Sequence, residues 1–174
     1  MFRKLNTQQL NRLTIYQYRT APKNPLAVVL DNIRSMNNVG SIFRTSDCFG
    51  VEHLYLCGIT ACPPHRDIHK TALGAENSMP WTYAENTAEA CRLLKSQGYL
   101  IVAVEQAEGS VPLNEFTIPA GRKMAIVLGN ETEGVEQAVL DLCDHCIEIP
   151  QFGTKHSFNV SVCAGIVLWE LLNR

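Results

Sequence analysis

Three short groups of residues in this 174-residue chain combine amides, charge and glycine as a binding site does, and each follows an apolar run. The first is Asn38-x-Gly40-x-x-x-Arg44, with Gly50 beyond it. The second is Leu128-Gly129-Asn130-Glu131-x-x-Gly134. The third is Ile149-Pro150, followed by Ser157-Phe158-Asn159. Asn38 and Arg44 stand six residues apart across the entry to a helix, with Arg44 among Ile42, Phe43 and Cys48. A guanidinium in that company must find an anion or stay at the rim, because burying it unpaired is too costly. Glu131 or an incoming phosphate is the candidate partner. Gly129 and Gly134 permit close backbone approach to a ligand, and Ser157 and Asn159 are natural N-caps. Taken singly, each group has an ordinary reading as an ion pair, a turn or a cap.

Two further groups carry donor atoms. Cys57, Cys62, His65 and His69 have a superficially zinc-like spacing, but Pro63 and Pro64 restrict the turn that tetrahedral ligation needs. Cys143 and Cys146 form a lone CxxC without the strand–helix context of a redox motif. Both groups read as loop or packing residues, and no metal is expected. No GxGxxG follows a strand and no GxxxxGK(S/T) occurs, which argues against a dinucleotide site and a P-loop. A Rossmann-type methyltransferase wants a glycine-rich turn after its first strand, where this chain has Asp31-Asn32-Ile33-Arg34.

The elements that must position these groups alternate along the chain. Leu10, Leu13 and Tyr16 suggest a leading helix over Thr7–Tyr18. Leu26–Leu30 is a continuous apolar run that suits a strand buried on both faces. A loop over Asn32–Asn37 leads to a helix at Val39–Phe49 that stops at Gly50. Leu54–Leu56 is a short strand, and Gly58 to Pro80 reads as irregular. Asn86 and Glu89 open a helix that closes at Gly98. Tyr99–Val104 and Met124–Leu128 are strands, Val135–Leu142 a helix, Cys146–Ile149 a last strand and Asn159–Asn173 a last helix. Such alternation predicts an α/β fold, a mostly parallel sheet with helices on both faces. Ligands in these sheets bind beyond the carboxyl ends of the strands, so the loops after Leu30, Leu128 and Ile149 are the places to search.

Composition narrows the class. Apolar residues make up 46% and charged residues 18%, with net charge −2, as in an ordinary globule. No apolar run is long enough to span a bilayer and Met1–Leu10 has no signal-peptide core, so no membrane association is expected. Seven cysteines, an odd number, point to a reducing compartment, the cytoplasm. The charge is uneven: residues 1–70 hold nine Lys/Arg against four Asp/Glu, and residues 71–174 six against thirteen. The first thirty residues carry five basic groups and no acid, which favours a phosphate-bearing partner.

Taken together, in this order and at these loops, the three groups resemble the signatures of the SpoU/TrmH branch of the SPOUT RNA methyltransferases. The resemblance runs from about Leu26 to Leu172. Lys70–Glu76, with Leu73-Gly74-Ala75, looks like the family's connecting loop, while Phe158 stands where many members have Leu. The resemblance implies a C-terminal deep trefoil knot at about 124–174, within a catalytic domain over 25–174 that follows a basic helical extension over 1–24. It implies S-adenosyl-L-methionine as cofactor, held by Leu128, Gly129, Asn130, Gly134, Ile149, Pro150, Ser157 and Phe158. The activity it implies is methylation of an RNA ribose 2′-hydroxyl, with Arg44 at the hydroxyl, as base or as a cation stabilising the alkoxide. Asn38 would orient Arg44 or the ribose, Glu131 would hold the guanidinium, and Ser157 and Asn159 would shape the pocket floor. Homodimers with sites built across the interface are also implied, and a last helix that is apolar nearly all round suits one. Arg3, Lys4, Arg12, Arg19, Lys23, Arg34 and Arg44 are the candidate RNA contacts. The short basic leader favours tRNA over ribosomal RNA. The rival readings are a ribosomal RNA enzyme, a base-nitrogen methyltransferase of the same superfamily and a silent knotted RNA-binding protein.

Overall fold

A computed structural model describes residues 1–117 and 121–173; residues 118–120 and 174, inside the expected 25–174 domain, lie outside that description. The apolar run at Leu26–Leu30 forms the middle of β1 (Asn24–Asp31). β1 pairs with β2 (Val51–Cys57) on one side and β6 (Lys123–Leu128) on the other. β3 (Trp81–Ala84) lies outside β2, and β4 (Tyr99–Val104), β7 (His145–Glu148) and β5 (Val111–Pro112) follow beyond β6. The order is β3-β2-β1-β6-β4-β7-β5, and every pairing is parallel.

Side chains along β1 alternate between two cores. Leu26, Val28 and Leu30 join Val39, Ile42 and Phe43 of α2 (Met36–Cys48), Ile68 of α3 (Arg66–Ala72) and Val167 of α7 (Val160–Leu172). Ala27 and Val29 face the opposite way, onto Cys91 and Leu94 of α5 (Thr87–Ser96) and Val139 of α6 (Gln137–Leu140). Both faces are therefore covered, as an all-parallel sheet requires. Each large side chain so buried contributes roughly 1.5–3 kcal/mol. Among the described residues no helix is long and apolar enough to cross a membrane.

Several expectations change. The leader is no single helix over Thr7–Tyr18: a 3₁₀ turn at Gln8–Leu10 ends at Asn11, whose φ of 47° is left-handed. A capping box between Thr14 and Gln17 then starts α1 (Ile15–Thr20) afresh. Leu10, Leu13 and Tyr16 stay exposed, and Tyr18 instead enters the core, its hydroxyl on Met79 Sδ. The stretch from Gly58 to Pro80 contains α3 and α4 (Ala75–Ser78), both too short for a periodic signal. β3 and the two-residue β5 escape the pattern for the same reason. α6 shrinks to Gln137–Leu140: the Glu136 backbone before it is not helical (ψ 139°), and the Val135 and Glu136 amides are bonded to the carboxylates of Glu105 and Asp31.

Candidate active site

The three motifs meet because β6 lies directly beside β1, so the loops leaving their carboxyl ends are neighbours. Ser35 caps α2 through a hydrogen bond from the Asn38 amide, and the Asn38 side chain is 9% exposed in that first turn. Asn38 Nδ2 donates to Glu131 Oε1 at 2.9 Å, and Asn38 Oδ1 accepts from Asn159 Nδ2 at 3.1 Å. A carboxylate only accepts, so Glu131 dictates which way the Asn38 amide faces. That choice leaves Asn159 Oδ1 free to cap α7, accepting from the Ser161 and Val162 amides. One chain of amides thus ties all three motifs, across separations of 93 and 121 residues.

Glu131 also accepts from the Arg34 and Ser35 amides, each at 3.0 Å. Partial burial pushes its carboxyl pKa up, but the Arg34, Asn38 and Ser35 donors outweigh that and hold it below the usual value. Within one chain, therefore, Glu131 is taken up by these donors and does not hold Arg44. The loop after β6 meets the first turn of α2, and Arg44 lies six residues on, about 9 Å further along the axis. Arg44 is exposed and makes no hydrogen bond or ion pair among the described residues. It resolves the choice between anion and rim in favour of the rim.

The loop from Gly129 to Gly134 closes on itself through two backbone hydrogen bonds between Asn130 and Gly134, both 2.9 Å. Asn130 Oδ1 accepts from the Thr132 and Glu133 amides, while Asn130 Nδ2 donates to the Asn32 carbonyl. A Cβ at Gly129 would sit 2.2 Å from the Gly134 and Val135 backbone, so only glycine fits. Gly134 has φ +71°, and a Cβ there would also strike the Glu105 carboxylate. Gly40, the glycine of the first motif, serves packing instead: its missing Cβ lets α3 approach, with Thr71 Oγ1 donating to the Asn37 carbonyl.

These loops enclose a cavity of about 450 Å³. Leu128, Gly129, Asn130, Glu131, Gly134 and Ile149 line it, as do Ser157, Phe158 and Asn159. Pro150 does not; it lines a separate apolar groove with Val162 and Trp169. Ser157 is exposed and caps nothing, since Asn159 takes that role. The sequence reading missed Glu105, Gln106 and His156. Glu105 Oε2 accepts from the Val135 amide, and Gln106 Nε2 donates to the His156 carbonyl at 2.7 Å. The available signal was the end of β4, one more strand terminus on the same edge. Among the described residues, four carboxylates (Glu105, Glu131, Glu133, Glu148) and no Lys or Arg line the cavity. Such a cavity favours a cationic ligand and repels phosphate.

The other candidates lie elsewhere. Arg3, Lys4, Arg12 and Arg34 have exposed side chains. Arg19 Nη2 donates to the Asn77 carbonyl at 2.6 Å. Lys23 is corrected as a free contact: its ammonium folds onto the Tyr18 carbonyl and lies 3.5 Å from that ring's centroid. His65 Nδ1 caps α3 and His69 Nδ1 pairs with Glu76 Oε1. Cys143 and Cys146 donate to the Val139 and Glu105 carbonyls, and burial pushes the Cys143 thiol up to about 11.

The comparisons with known proteins agree on one family. Residues 25–169 match the model of the SpoU rRNA Methylase family. A relative named 23S rRNA (guanosine-2′-O-)-methyltransferase RlmB, from Neisseria meningitidis, is 34% identical over 84% of this chain and 57% of its own length. The chain spans roughly three fifths of the length of the curated relatives it matches. A solved TrmH/SpoU tRNA modifying enzyme of A. aeolicus superposes with TM-score 0.80 at 27% identity, over 91% of this chain and 79% of that one. An AdoMet-bound rRNA methyltransferase of Sinorhizobium meliloti gives TM-score 0.80 at 28% identity, over 88% and 59%.

Proposed function

The chain belongs to the SpoU rRNA Methylase family, and from that premise we propose that it methylates a ribose 2′-hydroxyl of RNA with S-adenosyl-L-methionine. The observation that carries this reading is the amide chain Glu131–Asn38–Asn159 beside an acidic cavity built largely of backbone. When bound, S-adenosyl-L-methionine supplies a methyl group on a sulfonium cation. The residues fit that group: Gly129 and Gly134 leave backbone room, and the lining carboxylates offset a positive charge. Leu128, Gly129, Asn130, Gly134, Ile149, Ser157 and Phe158 would hold it, with Glu105 fixing the loop.

Arg44, exposed and unpaired on α2, acts at the substrate hydroxyl of a site completed by a second copy of the chain. A guanidinium offers donors and no acceptor, so Arg44 stabilises developing negative charge on the oxygen. Val162 and Trp169 of α7 are 51% and 61% exposed, which supports a homodimer through that helix. The strand order β6-β4-β7 and the return of α7 onto α2 support a threaded C-terminal crossing over 124–174. The thiols are unpaired, as suits the cytoplasm. The basic extension over 1–24 supports tRNA as substrate, through Arg3, Lys4, Arg12 and Arg19. Ribosomal RNA is the second reading, favoured by the 23S rRNA relative.

The test is incubation with methyl-labelled S-adenosyl-L-methionine and separated tRNA and ribosomal RNA, followed by nuclease digestion. Label on a ribose of tRNA is expected. Label on a base, or no transfer by a chain that binds the cofactor, overturns the activity; label on ribosomal RNA alone replaces the substrate. Arg44→Ala is expected to lower transfer at least about a hundredfold, by analogy with loss of one charge-stabilising donor, while cofactor binding stays at the parent level.

A further inference from the structure

The chain turns sharply where β1 ends. Asn32, the next residue, has φ 57°, a left-handed backbone that few residues other than glycine adopt and that asparagine tolerates well. In that conformation its carbonyl accepts from Asn130 Nδ2 at 2.7 Å. The Asn32 side chain is half-buried, and each of its polar atoms is engaged. Nδ2 donates to Asp31 Oδ1 at 3.0 Å and to Glu136 Oε1 at 2.8 Å, while Oδ1 accepts from the Ile59 amide at 3.1 Å. A Cβ at Gly58 would sit 2.1 Å from that oxygen, so the end of β2 is shaped around this side chain.

These bonds reach both ends of the loop that floors the acidic cavity. Asn130 opens that loop, and Glu136 stands just beyond Gly134, ahead of α6. The fully buried Asp31 carboxylate assists from behind: Oδ2 accepts from the Glu136 amide at 2.9 Å and Oδ1 from the Thr87 hydroxyl at 2.5 Å. Asn130 and Glu136 are thus held to one point at the end of β1, across separations of 98 and 104 residues. The paired backbone bonds between Asn130 and Gly134 close the loop on itself but do not fix where it stands on the sheet. Glycine at position 32 would offer the backbone without the side-chain bonds. Aspartate would keep an acceptor but lose both donors, and would set a third carboxylate between Asp31 and Glu136.

We propose that Asn32 positions the floor of the cofactor site by holding both ends of the Gly129–Glu136 loop. It does not line the cavity and acts through Asn130 and Glu136. The inference rests on the reading of the acidic cavity as the S-adenosyl-L-methionine site. A loop set in place before binding gives up less entropy when the ligand arrives, so loosening either end lowers cofactor affinity.

Calorimetry of S-adenosyl-L-methionine binding to the full chain and amide hydrogen exchange test this. Asn32→Gly keeps the left-handed backbone and removes the side-chain bonds, and is expected to weaken binding at least about tenfold. In the same variant the Asn130 and Gly134 amides should exchange at least about tenfold faster, with the Ile126 amide inside β6 unchanged. Asn32→Asp is expected to bind more weakly still, although it is the closer isostere, because the three carboxylates repel one another. Glu136→Ala should weaken binding about threefold, whereas Glu136→Gln, which keeps an acceptor for Asn32 Nδ2, should stay within about twofold of the parent. Parent-like affinity in Asn32→Gly would reduce Asn32 to a turn former and overturns the proposal. Exchange that quickens equally at Ile126 overturns it too, as do equal losses in the two Glu136 variants. If the Asn32 variants fail to fold, the Glu136 pair, altered on an exposed side chain, decides. A parent chain that binds no S-adenosyl-L-methionine removes the cofactor reading, and the exchange at Asn130 and Gly134 then decides by itself whether Asn32 holds the loop.

Discussion

The floor and the outer wall of the acidic cavity are built on opposite principles. The floor, Gly129 to Gly134, spends almost every polar group on itself or its neighbours: paired backbone bonds at Asn130 and Gly134, three side-chain bonds from Asn130, and a carboxylate saturated by two amides and Asn38. The wall, from Gln151 to Phe158, is exposed over Phe152–Phe158, with Phe152 98% exposed and the Gln106 hydrogen bond entering at the His156 carbonyl. A floor whose shape is fixed before binding loses little entropy when a ligand arrives. A wall held by few contacts opens at low free-energy cost. The difference teaches that affinity resides in the floor and access in the wall.

The contrast can be broken most severely at Gly129. Gly129→Ala forces a Cβ into backbone at 2.2 Å, which should cost roughly 3 kcal/mol or more and abolish cofactor binding. Urea denaturation and calorimetry measure both, and a parent-like midpoint would contradict the rigid-floor account. Next in size is Asn38→Ala, which strands donors and acceptors on Glu131 and Asn159 and should cost about 1–3 kcal/mol. Because the two asparagines share one bond, Asn38→Ala and Asn159→Ala should combine less than additively; simple additivity in the double variant would mean the amide chain does not act as a unit.

A smaller effect is expected with acid. The native Glu131 pKa lies below its ordinary 4.5, so the unfolded chain binds the proton more readily as pH drops. Its contribution is present above that ordinary value and is lost as pH falls through the lowered native one. Glu131 is exposed at its rim, so the contribution is screened and stays under about 1 kcal/mol. Glu131→Gln should flatten the acid limb of the stability profile by that amount, whereas an unchanged limb would detach the carboxylate from the floor. The smallest change sharpens the wall: Gln106→Ala should move stability by no more than about 0.5 kcal/mol yet speed cofactor dissociation several-fold in stopped-flow. A large stability loss there would show the wall to be as rigid as the floor.

Much of this was legible beforehand. The run at Leu26–Leu30 announced a strand covered on both faces, and Asn86 with Gly98 bracketed α5, because burial and capping are local in sequence. The motif loops were legible too, since ligand sites in parallel sheets sit past strand ends. The leader misled, because three apolar residues at helical spacing say nothing about whether a core exists for them to enter. Glu105 was overlooked for a different reason: a lone acid after a strand has no signature until its partner, the Val135 amide, is folded against it.

By itself, the sequence determined where the longer buried strands and capped helices lie and which polar residues stand at their ends, because period, apolar runs and caps act over a few residues. Tertiary structure alone decided the pairings. Setting β6 against β1 brought Glu131 to the first turn of α2, so Asn38 received it and Arg44, about one and two-thirds turns further on, was left at the surface. Partners nearly a hundred residues apart are chosen by strand order, and strand order is a property of the whole sheet.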